Sequence, residues 1–132
     1  MAQLKDLTIE LEEKAGTVAA AAEALGKAGV NIEGICGVVV GGKAVAHVLV
    51  TDAAKARQAL QTAGARVTGE QDVLVLEMED KPGSLGKVTR KIADAGVSLN
   101  ALYLATRTRV VIGTRDLEKA RAAVGEGAAS RP

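Results

Sequence analysis

An internal repeat constrains the fold of this chain more than any other feature of its sequence. Residues 7–34 can be laid over residues 74–101 without a gap, and a second block, residues 52–57, matches residues 116–121 with a spacing three residues shorter. Self-similarity of this kind is the signature of a duplicated folding unit. The identical pairs in the first block are Leu7/Leu74, Glu10/Glu77, Glu12/Glu79, Lys14/Lys81, Gly16/Gly83, Ala28/Ala95, Gly29/Gly96 and Val30/Val97.

Each copy shows the same order of predicted elements. A short strand with partly alternating apolar and polar residues is followed by a glycine turn, an amphipathic helix, two β-rich runs and a second helix. This order is the split βαβ arrangement, in which helices cover one face of an antiparallel sheet. The sequence therefore predicts an α+β fold of two ferredoxin-like βαββα(β) units, one in residues 1–70 and one in residues 71–132.

Turn and cap residues give the expected element boundaries. Hydroxyl and carboxyl side chains favour helix starts, and glycine favours the position just past a helix end. The expected helix caps are Thr17, Asp52, Ser84 and Asp116, and the expected helix ends are Gly29 and Gly96. The expected strands are residues 7–12, 30–40, 43–51 and 66–68 in the first copy, and residues 73–79, 97–106 and 109–114 in the second.

The two copies are expected to differ in their hairpins and at their ends. Gly41-Gly42 suits a tight hairpin turn, whereas the second copy has a shorter, glycine-free connection with Arg107 and Arg109 at a solvated tip. Residues 125–132 read as a flexible tail, so the last strand of the second copy is short or missing. An edge without its partner strand exposes backbone groups, and we therefore expect a homodimer.

Composition excludes several classes of function. With one Tyr, no Trp or Phe and a net charge of +1, the chain lacks the stacking platforms and basic surface of nucleic-acid-binding proteins. Its single Cys36 and single His47 favour neither a disulfide nor a metal site, so we expect no cofactor and a reducing, cytoplasmic setting. No apolar run is long enough to span a bilayer, so no membrane partner is expected.

The residue pattern gives no support for catalysis. Cys36 lies in an apolar strand with no base in view, which favours a small core residue over a nucleophile. His47 shares a strand face with Val45 and Leu49, which indicates a half-buried histidine. No phosphate-binding glycine motif of the GxxxxGK type is present. We therefore expect a protein that is not an enzyme.

The start of each copy contains two short motifs. The second copy has a Pro-Gly-x-Leu pattern at the helix start, as Pro82, Gly83 and Leu85. The first copy has Ala15 in place of the proline but keeps Gly-Val-Asn-Ile at residues 29–32, where the second copy has Ser98 in place of the asparagine. Together these motifs resemble the opening half of an ACT domain. The resemblance implies domains that pair and bind an amino acid or similar small ligand at their interface, usually to regulate an enzyme.

The chemistry of the turn agrees with an amino-acid ligand. A glycine between strand and helix lets a ligand approach the backbone, and the free N–H groups of a helix start favour a carboxylate. A neighbouring acidic residue such as Asp80 could receive the ammonium group of the same ligand.

Pairing of the copies then predicts two candidate pockets, of which we favour the first. The first pocket would combine Asp80, Gly83, Ser84 and Leu85 with Asn31, and the second would combine Glu13, Gly16 and Thr17 with Ser98 and Asn100. A purely structural alternative remains open, in which the glycines only form the turns, the hydroxyls only cap the helices and Asn31 only serves a turn.

The sequence as a whole therefore predicts a regulatory or sensor protein that binds an amino acid and acts on a metabolic enzyme. The alternative is an interaction or oligomerisation module with no ligand.

Overall fold

The chain divides into two compact units, of which the first ends at Asp72 and the second begins at Val73. The structure is a computed structural model that describes residues 3–125. Residues 126–132, which belong to the expected flexible tail, lie outside the described residues.

The first unit is a four-stranded antiparallel sheet with two helices. The strand order is β4-β1-β3-β2, and the α+β class predicted from the sequence is confirmed. The elements are β1 Lys5–Glu12, α1 Thr17–Lys27, β2 Gly34–Val40, β3 Lys43–Val50, α2 Ala53–Thr62 and β4 Arg66–Asp72.

Alternation along β1 decides which face of the sheet carries the helices. Leu7, Ile9 and Leu11 are buried in one cluster with Leu25 of α1 and Leu60 of α2. Successive strand residues point to opposite faces, so the polar residues between them lie on the other face. We call that second face the helix-free face.

The second unit repeats this plan on a smaller scale. Within residues 73–125 its sheet has three antiparallel strands in the order β6-β7-β5. The elements are β5 Leu74–Glu77, α3 Ser84–Asp94, β6 Ala101–Ala105, β7 Arg109–Gly113 and α4 Leu117–Val124. Leu76, Ile92 and Ile112 lie in its core cluster, so each unit has an apolar core of its own.

The helix ends form as the glycines predict. Gly29 and Gly96 have φ angles of 77° and 76°. The N–H of Val30 donates to the carbonyl of Leu25 at 2.9 Å, and Val97 makes the equivalent bond to Ile92 at 3.3 Å. This is the Schellman pattern, which satisfies carbonyls left over at a helix C-terminus.

The helix starts confirm two of the predicted caps and overturn two. The carboxylates of Asp52 and Asp116 accept from Lys55 and Lys119 N–H groups at 3.0 and 3.3 Å. Thr17 and Ser84 are the first helical residues and not the caps, because the helix starts one residue earlier than predicted, at a glycine N-cap in each copy.

The hairpins confirm one prediction and correct another. Gly41-Gly42 forms a two-residue turn with positive φ at both positions. The second connection spans residues 106–108 and is longer, not shorter, because β6 and β7 have 5 residues each against 7 and 8 in β2 and β3. The three residues that the second copy lacks between its matched blocks are therefore missing from the hairpin strands and not from the turn.

Arg109 is buried and not solvated as expected, with 2% of its surface exposed. Its guanidinium donates to the Thr106 carbonyl at 2.9 Å and to the Thr106 hydroxyl at 3.0 Å. These bonds close the hairpin turn at a place where Arg107 and Thr108 adopt φ angles of 61° and 51°.

None of the helices in residues 3–125 combines the length and apolar character needed to cross a membrane.

Candidate ligand site at the strand-to-helix turns

Both units have the same turn between their first strand and first helix. Gly16 has φ 94° and ψ −14°, and Gly83 has φ 91° and ψ −13°. The helix hydrogen bonds begin at these residues, since the Gly16 carbonyl accepts from Ala20 at 2.9 Å and the Gly83 carbonyl from Lys87 at 3.1 Å. Each glycine is therefore an N-cap that provides no side-chain acceptor to the first helical turn.

The space beside each glycine is open. A Cβ atom built at Gly16 or Gly83 would meet nothing within 4 Å. Packing therefore does not require glycine at these positions, but the left-handed backbone conformation does. A ligand group can approach the first-turn N–H groups without displacing a side chain.

The charged residues of the two turns repeat one arrangement. Lys14 pairs with Glu12 at 3.6 Å, and Lys81 pairs with Glu79 at 3.4 Å. The acidic residues between them, Glu13 and Asp80, are exposed and form no ion pair or hydrogen bond within residues 3–125. Each turn thus presents one carboxylate that its neighbouring lysine does not neutralise.

The two hydroxyl groups differ. The Thr17 hydroxyl donates to the carbonyls of Glu12 and Lys14 at 2.9 and 3.1 Å, which ties the turn to the end of β1. The half-buried Ser84 hydroxyl makes no hydrogen bond in the described part of the chain. The second turn therefore has a free hydroxyl donor that the first turn lacks.

Leu85 follows Ser84 and packs against the core of the second unit. It fixes the first turn of α3 on the sheet, and its side chain is half-buried.

The remaining candidate residues lie at the opposite end of each helix. Asn31 is exposed and donates from Nδ2 to the Glu33 carboxylate at 2.9 Å. Ser98 and Asn100 are exposed beyond the end of α3. Since a helix of 11 residues is about 16 Å long, a turn and a helix end of the same unit do not form one site. The expected combination of residues from both copies stays a prediction.

A buried polar cluster was missed by the sequence analysis. Asp6 is fully buried on the helix-free face, and its Oδ2 lies 2.8 Å from His47 Nδ1 and 3.3 Å from Gln71 Nε2. The half-buried histidine was predicted, but its partner was not, because Asp6 lies 41 residues earlier in the sequence, on another strand. In the sequence, the alternation along β1 places Asp6 on the face opposite the core residues Leu7 and Ile9, so this pattern does not predict its burial.

Cys36 lies opposite His47 in the pairing of β2 with β3. Burial raises the pKa of the Cys36 thiol, against the smaller opposing effect of the His47 backbone N–H. A thiol with a raised pKa is a poor nucleophile. Residues 3–125 also contain no group of three or more His, Cys, Asp or Glu residues arranged to hold a metal ion.

The sequence of the second unit is similar to a known family. Residues 73–124 match the family described as the ACT domain. The Gly83 turn lies within the matched residues, and the first unit has a turn of the same geometry.

Solved structures with a similar fold cover both units. A protein from Bacteroides thetaiotaomicron is 28% identical, with a TM-score of 0.78 over 93% of this chain and 88% of that chain. The regulatory subunits of aspartate kinase from Thermus thermophilus and Thermus flavus are each 18% identical over 94% of this chain. Their TM-scores are 0.73 and 0.70, over 91% and 92% of those chains. No curated protein sequence matches the chain significantly.

Proposed function

We propose that this protein binds an α-amino acid, or a small molecule with the same charged groups, at the Gly83 turn of its second unit, as an ACT domain would. The observation that carries the proposal is the combination of a glycine N-cap, an unpaired Asp80 carboxylate and a free Ser84 hydroxyl within one turn.

Each charged group of an α-amino acid has a partner in this turn. The carboxylate would accept from the first-turn N–H groups of α3, where the helix dipole adds a favourable contribution of about 0.3–1 kcal/mol. The ammonium group would donate to Asp80. A hydrogen bond to a charged group contributes about 1.5–3 kcal/mol, so Asp80 is expected to provide a large part of the affinity.

The turn at Gly16 is the weaker candidate. Glu13 provides an equivalent carboxylate, but the Thr17 hydroxyl already donates to two carbonyls. In the same proposal, Asn31 of the first copy would contribute to the site at Gly83. Ser98 and Asn100 of the second copy would contribute to the site at Gly16. The amide of Asn31 already donates to Glu33, which leaves its carbonyl oxygen to accept from a ligand.

A regulatory role without catalysis is the second part of the proposal. Two chains of similar fold are described as regulatory subunits of aspartate kinase. At 18% identity this likeness shows the fold alone, and it supports no more than the proposal that this protein acts on a metabolic enzyme. We further propose that it does so as a cytoplasmic homodimer.

A second candidate function is an oligomerisation module without a ligand. It is favoured by a run of exposed apolar residues on β2, in which Val38, Val39 and Val40 are 64%, 53% and 61% exposed. Exposed apolar side chains in a cluster are typical of interaction surfaces.

Thermal unfolding in the presence of each common amino acid separates the two functions. A ligand at 100 times its Kd stabilises the folded protein by about 2.7 kcal/mol. We expect Asp80→Asn to weaken binding of the best ligand about tenfold or more, measured by calorimetric titration. Glu13→Gln, the same change at the equivalent position of the first turn, is the matched control.

Two results would contradict the amino-acid proposal. If no amino acid shifts the unfolding temperature of the wild-type protein, the module without a ligand is favoured. If Asp80→Asn and Glu13→Gln bind the ligand as tightly as the wild-type protein does, the site lies elsewhere.

A further inference from the structure

The first unit contains an apolar cavity of about 150 Å³ between α1 and β2. Its inner wall includes the buried side chains of Leu25 and Val48. It reaches the surface beside Val18 and Ile35, which are 56% and 47% exposed. Every residue that lines it is apolar.

Small residues on facing elements create this cavity. Ala21 and Ala22 line it from α1, and Gly37 and Ala46 line it from β2 and β3, where they pair directly. A Cβ atom at Gly37 would lie 3.6 Å from the Ala46 Cβ, an ordinary contact, and the φ angle of Gly37 is not in the left-handed region. Neither backbone conformation nor crowding therefore requires a glycine at position 37.

The second unit shows what the same fold accepts at these positions. The repeat places Val88 and Thr89 where the first unit has Ala21 and Ala22. Leu104 and Val110 pair in the second hairpin as Gly37 and Ala46 pair in the first. All four residues of the second unit are larger, so the cavity belongs to the sequence of the first unit and is not a requirement of the fold.

We propose that this cavity is a binding site for a small uncharged apolar group, a hydrocarbon moiety of about benzene size. A dry apolar cavity of about 150 Å³ can bind benzene or xenon. Water is a poor occupant, because it needs two to four polar partners. A charged or strongly polar group would lose its hydration without a compensating hydrogen bond.

This site is independent of the amino-acid site proposed above. The charged ends of an amino acid have no partner among the residues that line the cavity, and the Gly83 turn belongs to the other unit. Either proposal can therefore fail while the other stands.

Titration of the full chain with benzene, followed by methyl NMR, tests the proposal. We expect saturable shifts of the Ile9, Ile32 and Ile35 methyl signals. The methyl signals of Ile92 and Ile112, in the core of the second unit, should not move and serve as the control within the same molecule.

Filling the cavity with the residues of the second unit should remove binding. Ala21→Val and Ala46→Val, which copy Val88 and Val110, are expected to weaken benzene binding at least tenfold. The matched control is Ala19→Val, the same change at an exposed position of α1 that does not line the cavity. Gly37→Ala narrows the cavity without backbone strain and replaces any valine variant that fails to fold.

Three results would overturn the proposal. The first is a wild-type protein whose first-unit methyl signals do not shift with benzene. The second is a shift of equal size in both units. The third is unchanged benzene affinity in the folded filling variants.

Discussion

At the scale of single residues, two glycines near the start of α3, Gly83 and Gly86, differ in whether the backbone requires a glycine. Gly83 has φ 91°, whereas Gly86 lies inside α3 without a left-handed φ angle. Neither would clash with a Cβ atom, since both have nothing within 4 Å. Only the backbone conformation distinguishes them.

Alanine at these two positions should therefore act in opposite directions. We expect Gly83→Ala to lower the free energy of unfolding by about 1–2 kcal/mol, the cost of a left-handed L-residue. We expect Gly86→Ala to raise it by about 0.5–1 kcal/mol, because alanine is the better helix former. Urea unfolding of both variants measures the difference, and equal effects would show that the turn is not held at positive φ.

At the scale of elements, an ion-pair network connects α2 to the sheet edge. Arg57 of α2 donates to the Glu70 carboxylate of β4 at 2.8 Å, and Lys5 of β1 lies 3.6 Å from the same carboxylate. The hydrogen bond from Arg57 is the largest of the effects that lower the pKa of Glu70. The carboxylate is partly exposed to solvent, so the network is sensitive to salt.

The lowered pKa of Glu70 sets the direction of a pH effect. The folded state favours the ionised carboxylate, so its stabilising contribution is present above the ordinary pKa of glutamate and is lost as pH falls through the lowered value. We expect NMR titration to place the Glu70 midpoint below that of an ordinary glutamate, and Arg57→Gln to raise it. Arg66→Gln is the control, because within residues 3–125 Arg66 pairs with Glu10, at 4.0 Å, and not with Glu70. A Glu70 midpoint unchanged by Arg57→Gln would contradict this cause.

The elements also show what sequence can and cannot predict. Asp52 and Gly29 act through neighbouring backbone atoms, so their roles as cap and helix end were predicted correctly. β4 continues to Asp72, past the predicted end at residue 68. The prediction stopped early because the last residues of β4 are polar and resemble a loop in sequence. The buried positions of Asp6 and Arg109 depend on contacts that form only in the folded chain, and no local pattern predicts them.

The same distinction applies to the candidate site. The glycine turns and their acidic residues were predicted, since each turn is a contiguous segment. The different roles of the Thr17 and Ser84 hydroxyls were not predicted, because they depend on the distance from each hydroxyl to the end of the preceding strand.

At the scale of the whole molecule, the exposed valines of β2 bear on assembly. Val38 and Val40 lie on the helix-free face. Cys36 pairs there with His47, which contacts Asp6 on that face, and Val38 and Val40 follow Cys36 at intervals of two residues along β2. We expect the chain to be a homodimer in light scattering, with twice the mass of the 13.4 kDa chain. Changing Val38 and Val40 together to lysine should shift the protein to monomers.

Thr62→Lys, at an exposed polar position on α2, is the control for the added charge. A monomeric wild-type protein would contradict the predicted homodimer. A dimer that tolerates both lysines would show that the valines are not the contact surface.

The paired lysines of the two turns have a consequence for selectivity. Lys14 and Lys81 each pair with one carboxylate while a second stays unpaired, so each turn has a local charge of minus one. A phosphate or dicarboxylate would be repelled as it approached the helix start, whereas a zwitterion brings no net charge. These turns would thus distinguish zwitterionic amino acids from anionic metabolites before any side chain is recognised.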